Sequence, residues 1–173
     1  MEISFDLSES GIDKAIRELE AYRALVESKC QKLVDRLTQM GVSVASARFA
    51  SAVYDGVNDV TVRAEQGGGY SAIVAEGSAV LFIEFGTGVT HASPVHPEAS
   101  SLGFSRGSYG AGKGLQRSWR YYGEPGTSGE VVSENEKGTL VQTQGNPAGM
   151  CLYETEKYLE SVLRQVVKEV FRS

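Results

Sequence analysis

Apolar residues recur every three or four positions along the first quarter of the chain. Ile12, Ile16, Leu19, Tyr22, Val26, Cys30, Leu33, Leu37 and Met40 form one stripe. That spacing predicts a long amphipathic helix of about 45 Å. Ser10 is placed to cap it, and Asp13 suits its first turn. Lys14, Glu18, Lys29, Lys32 and Arg36 occupy the other face, and Gly41 reads as a left-handed stop. The Ala/Ser stretch Val44 to Ala52 adds a further helical turn or two. The period then changes to two. Asp59 to Glu65 alternates, Tyr70 to Ala75 is β-prone, and Gln66-Gly67-Gly68-Gly69 joins them, which predicts a hairpin. Ser78 to Phe85 is buried, but its period fits a strand or a short helix equally.

Gly86 to Gly138 differs from what surrounds it. It holds 11 of the 20 glycines and three of the four prolines. A long structureless excursion is expected there. Its aromatics, Phe104, Tyr109, Trp119, Tyr121 and Tyr122, set it apart from a disordered linker. They call for a surface to bury against, and a neighbouring subunit is the natural source. Thr139 to Thr143 reads as a strand. Asn146-Pro147 has the form of a cap followed by proline at the first helical position. Leu152, Leu159, Leu163, Val166 and Val170 then stripe a closing helix, flanked by Val162 and Val167. The expected architecture is one α+β domain over 1–173. It has a long N-terminal helix, a small antiparallel sheet with a hairpin, a glycine-rich loop at 86–138 and a long C-terminal helix, with the helices on one face of the sheet.

A net charge of −5 over 173 residues gives no overall attraction to nucleic acid or to an anionic membrane. The longest apolar run, Ala79 to Ile83, is far too short to span a bilayer. Residues 1–10 lack the basic-then-apolar order of a signal peptide. Cys30 and Cys151 lie far apart in helical patterns and read as small buried hydrophobes.

Signals for chemistry are weak. Gly107 to Lys113 matches the glycine–lysine part of a phosphate-binding loop, but no strand leads into it and Gly114 stands where Ser or Thr would hold magnesium. His91, His96 and Glu98 are zinc-type donors without helical spacing. No nucleophile-elbow motif is present. Glu84 interrupts an apolar run; its expected role is to accept hydrogen bonds from the turn at Gly86-Thr87-Gly88. No catalytic, cofactor or metal residue is therefore assigned. Arg106, Lys113, Arg117 and Arg120 form a basic cluster among aromatics, followed by an acidic stretch from Glu124 to Gly138. Opposite charges on adjacent stretches suit pairing between subunits.

Phe82-Ile83-Glu84-Phe85-Gly86-Thr87-Gly88 resembles the (Y/F)-V-E-F-G-T-G signature of the tailed-bacteriophage tail-component family, the head–tail joining and neck proteins. Tyr109 to Lys113, Trp119-Arg120-Tyr121 and Thr143 to Ala148 are similar to the stretches downstream of that signature in members from phages of Gram-positive hosts. The resemblance implies a structural subunit of the virion neck without catalytic activity, assembled in the host cytoplasm. It implies a homo-oligomeric ring, a hexamer to match a sixfold tail tube. Its partners would be other neck, connector and tail proteins, with passing contact to phage DNA. Glu84 to Gly88 would then be a structural turn. The expected subunit contacts are Tyr109, Arg117, Trp119, Arg120, Tyr121 and Tyr122. The alternative is a nucleic-acid-binding module using 102–123, and a third reading is a small hydrolase.

Overall fold

The computed structural model describes residues 8–67, 69–89, 95–104 and 116–172. Helix α1 spans Glu9–Ser51, followed by strands β1 (Thr61–Gly67) and β2 (Tyr70–Glu76). A six-residue helix α2 (Val80–Phe85) comes next. Strands β3 (Trp119–Tyr122), β4 (Glu130–Asn135) and β5 (Gly138–Thr143) precede helix α3 (Cys151–Arg172). The chain is α+β, with both long helices and the hairpin where the sequence pattern places them.

Helix α1 starts at Ser8, whose hydroxyl accepts from the Gly11 N–H at 3.1 Å; Ser10 lies inside the helix. It does not stop at Gly41. A Cβ there would sit 2.1 Å from Ile73 Cδ1 and 3.1 Å from Leu159 Cδ1. Gly41 is thus a point of close approach between α1, β2 and α3, and the helix runs on through it. The apparent stop signal is a packing requirement. The buried line of this half is Thr38, Gly41, Ala45 and Phe49, a face offset from the leucine stripe.

β1 and β2 form the expected antiparallel hairpin, paired from Thr61 opposite Glu76 to Gly67 opposite Tyr70, so Gln66 and Gly67 belong to the strand and not to the turn. The Thr38 hydroxyl joins α1 to this hairpin, lying 2.8 Å from Ser71 Oγ. Helix α3 runs antiparallel to the second half of α1. Arg36 pairs with Glu169, Arg48 with Glu154, and Lys29 donates to the Phe171 carbonyl. The buried line of α3 is Cys151, Thr155, Val166 and Val170, while Leu163 is exposed. Phe49, Ala79, Ile83 and Cys151 form the core where α1, α2 and α3 converge.

The described part of the excursion at 86–138 carries strands that its composition does not predict. It contributes β3 and β4, which flank β5 in a second sheet of order β3-β5-β4. Here cross-strand pairing overrides glycine content. Strand formers Trp119 to Tyr122 pair with Leu140 to Thr143, and Gly123, Gly126 and Gly129 fall between β3 and β4. Residues 105–115, with Tyr109 and the phosphate-loop match at Gly107 to Lys113, lie outside the described residues. The second sheet docks on the segment after α1. Thr127 N–H donates to the Tyr54 carbonyl and Tyr54 N–H to Thr127 Oγ1, both at 2.9 Å. Helix α1 packs on the hairpin and α3 packs on α1, rather than both lying over one continuous sheet.

The α3 start also moves. Asn146-Pro147 does not open it, because the Asn146 amide is committed to the Phe82 carbonyl at 3.0 Å and lies within 3.2 Å of the Pro147 carbonyl. Cys151 is the first helical residue.

Gly41→Leu should destabilise the protein by about 1–3 kcal/mol, since Ile73 and Leu159 must both move. Denaturant unfolding followed by circular dichroism measures this. An unchanged midpoint would show that the three elements do not meet there.

Candidate functional site

The Glu84-to-Gly88 segment sits at the junction of α2 and α3. Helix α2 enters the junction from a turn held by Asp59, whose carboxylate accepts from Ser78 N–H (2.8 Å), Ser78 Oγ–H (2.8 Å) and Ala79 N–H (3.0 Å). These bonds, the Ser78 amide first, lower its pKa from 3.8 to about 2.

Glu84 follows on the buried side of α2 and is 4% exposed. It does not serve the Gly86–Gly88 turn. Its Oε2 accepts from Leu152 N–H at 2.9 Å and its Oε1 from Tyr153 N–H at 3.1 Å. These are the second and third amides of α3, the groups that a helix leaves without internal partners. Glu84 therefore caps α3 from across the fold, with its charge at the positive end of the helix dipole. The Met150 carbonyl accepts from Glu154 N–H at 2.9 Å, and Met150 itself takes φ 48°. That left-handed backbone carries the Gly149 and Met150 amides onto the carbonyls of Ile83 (2.7 Å) and Glu84 (3.1 Å).

His96 is the second unforeseen member. It is 5% exposed, and its Nε2 lies 3.1 Å from Glu84 Oε1. Glu98 N–H donates to its Nδ1 at 3.1 Å. With Nδ1 accepting, Nε2 carries the hydrogen shared with Glu84. The ring packs on Phe85 (4.4 Å between centroids) and against Tyr153 (5.4 Å), and Phe104 closes on Phe85 at 4.9 Å. A residue that the sequence offered only as a zinc-type donor without the right spacing is thus a buried, hydrogen-bonded partner of the cap. His91, its supposed companion, lies outside the described residues, and no metal-type cluster occurs among the described ones.

Gly86 and Gly88 are required by the same joint. Gly86 has φ 74°, and a Cβ on it would meet Ala148 N at 2.5 Å. Gly88 has φ 75°, and its Cβ would meet the Gln144 carbonyl oxygen at 2.5 Å. Between them, Thr87 is stitched to Asn146. Thr87 N–H donates to the Asn146 carbonyl at 2.8 Å, Asn146 N–H returns to the Thr87 carbonyl at 3.2 Å, and Thr87 Oγ1 donates to Asn146 Oδ1 at 2.6 Å. Phe82 and Phe85 are half-exposed flanks, and Ile83 is fully buried.

The polar atoms of Glu84 and His96 are spent on backbone and on each other. Cys151, beside them, is buried, and its thiol pKa is pushed up to about 12 by burial and by the Glu84 charge. Cys30, expected to be buried, is exposed, because α3 ends beside Lys29 and does not cover it.

The expected contact residues divide by strand alternation. Trp119 and Tyr121 point inward from β3, lining a cleft of about 350 Å³ with Tyr54, Asp55, Phe82 and Thr87. The Tyr121 hydroxyl sits 2.9 Å from the Asp55 carbonyl and 2.8 Å from that of Glu124, and burial raises its pKa to about 12. Phe104, Trp119 and Tyr121 therefore find partners within this chain. Arg117, Arg120 and Tyr122 are exposed, with Arg120 Nε donating to Gln142 Oε1 at 3.2 Å.

Compared with protein-family models, curated proteins and solved structures, the chain matches none.

Glu84→Ala should lower the unfolding free energy by about 2–4 kcal/mol, because two α3 amides and His96 lose a charged acceptor inside the fold. Chemical denaturation reads this directly; a loss under about 0.5 kcal/mol would place the cap elsewhere. Asp59→Asn gives a pH signature. The folded pKa of Asp59 is depressed, so its contribution is complete above 3.8 and fades as pH falls through about 2. The Tm gap between wild type and Asp59→Asn should therefore be largest near neutral pH and close between pH 4 and pH 2. A gap that stays constant over that range would remove Asp59 from the turn.

Proposed function

We propose that this protein is a non-enzymatic structural subunit of a tailed-phage neck, joining the head connector to the tail as part of an oligomeric ring. What supports the reading is the use made of the signature-like segment. Glu84, Gly86, Thr87 and Gly88 are consumed in a joint that fixes α2 to α3, as a building block requires. Apolar surface remains outside. Strand β4 is an edge strand whose residues are all exposed, with Val131 and Val132 at 49% and 43%, and Tyr122 on β3 is 50% exposed. An open edge with apolar side chains is a template for pairing with another chain.

By resemblance the ring is a hexamer, residing in the virion and built in the host cytoplasm. Its contacts would come from Tyr122, Arg117 and Arg120, together with Tyr109. Trp119 and Tyr121 belong to the proposed contact set as well, their partly exposed rings lining an open cleft.

Disrupting the gene in the genome that encodes the protein should yield DNA-filled heads and free tails, unjoined, in electron micrographs of the lysate. Normal joined particles would overturn the proposal. Tyr122→Ala should leave monomer stability within about 0.5 kcal/mol and weaken assembly by about 2 kcal/mol per interface. Analytical ultracentrifugation of the ring, beside thermal melting of the monomer, separates those two effects. Loss of joining without loss of stability supports the contact; retention of both moves it elsewhere.

A further inference from the structure

Among the described residues, no helix lies beside the first half of α1. Lys29 bonds the Phe171 carbonyl near the end of α3, and the hairpin reaches α1 no further along than Asp35, through Gln66. Residues 9–28, about 30 Å of helix, lie beyond the last of these contacts. Among the described residues, the side-chain hydrogen bonds and ion pairs of this stretch stay inside the helix: Lys14 with Glu18 and Arg23 with Glu27. Yet the apolar stripe continues along it. Ile12, Ile16, Leu19, Tyr22 and Leu25 are 41% to 54% exposed. Ala15 is the one buried residue of the stretch.

The stripe has a coiled-coil phase. Ile12, Ile16, Leu19, Arg23, Val26, Cys30, Leu33, Leu37 and Met40 alternate spacings of four and three, the seam of a heptad repeat. Its later members Leu33, Leu37 and Met40 are partly buried, and Leu37 lines an apolar groove with Ile73, Leu159 and Leu163. The exposed half is thus the continuation of a seam that is partly covered further along the same helix. Along one edge of the seam Asp13, Glu20 and Glu27 recur every seven residues, all exposed. Flanking charges of this kind select the partner of a helical seam.

Those charges exclude two occupants. Two antiparallel copies would set the acidic edge against itself. Two parallel copies would face it with Ala15, Tyr22 and Lys29, a single cation, and would stack Arg23 on Arg23 in the seam. An anionic membrane surface is repelled by the same edge. We infer that residues 9–28 are a docking surface for an amphipathic helix of a different protein, one with an apolar seam and Lys or Arg along its flank. A polar or acidic side chain opposite Arg23 would set the register. The inference stands on the geometry of α1 and holds whether or not the neck reading does.

The test uses the full chain and two fluorescein-labelled synthetic helices. Both carry Ile and Leu at the seam; one has Lys at the flanking positions and the other Glu. Fluorescence anisotropy should show the Lys-flanked helix binding at least about tenfold more tightly. The triple change Asp13→Lys, Glu20→Lys, Glu27→Lys should reverse that order. Ile16→Ser with Leu19→Ser should lose binding of both, at unchanged helical circular dichroism. Equal binding of the two probes, or binding of neither, overturns the inference. So does a dimer of the protein alone, seen by light scattering and dissolved by Ile16→Ser with Leu19→Ser, since the face would then belong to a second copy.

Discussion

The fold turns on one buried carboxylate. Glu84 stands on a six-residue helix, too short to hold itself by internal hydrogen bonds. It is stable there because its charge meets two amides of α3 and the ring of His96. Taking a carboxylate out of water is costly, and these charge-assisted bonds at a helix N-terminus are what offset it. In return α3 acquires its starting point, and with it the line along which Val166 and Val170 are buried. The segment 95–104 is drawn over the pair by His96 and by the stacking of Phe85 and Phe104. One acceptor thereby orients a helix, a loop and the core beneath them.

The elements were readable in the sequence, and the faces they bury and the contacts made at long range were not. The two long helices, the hairpin and β5 follow from local alternation, but the predicted stripe of α1 is exposed from Ile12 to Tyr22 and at Cys30, and Leu163 of the α3 stripe is exposed. Three misreadings share one cause. Gly41 carries the signal of a helix end, but the pressure on it comes from Ile73 and Leu159, distant in sequence. Asn146-Pro147 has the form of a cap, but Asn146 is already held by Phe82 and Thr87. Glu84 looks suited to its nearest turn, but its amides belong to a helix 68 residues later. A window of a dozen residues cannot see those partners. The glycines of 86–138 misled for a related reason. Gly123, Gly126, Gly129 and Gly138 lie at the corners between β3, β4 and β5, whereas the strands are set by cross-strand pairs such as Tyr121 with Val141.

The candidate site was half legible. An E-F-G-T-G run with two glycines announces a constrained backbone, and Gly86 and Gly88 are both left-handed and crowded. His96 gave no such signal. Its neighbours Pro94 and Pro97 suggest an extended surface segment, and only the tertiary placement of Phe85 and Tyr153 makes a buried ring favourable there.

The antiparallel seating of α1 on α3 has a consequence for synthesis. About 100 residues separate the end of α1 from the start of α3. On the ribosome α1 emerges before α3, and its Leu33-to-Met40 stripe must wait for a cover that is translated about 100 residues later. The hairpin can shelter the Thr38 and Gly41 face early, because its strands follow closely. The remaining apolar face stays open for several seconds at ordinary elongation rates, the interval in which nascent chains are prone to associate wrongly. A chaperone or an early binding partner able to occupy that face would therefore govern how much of the protein reaches its folded form.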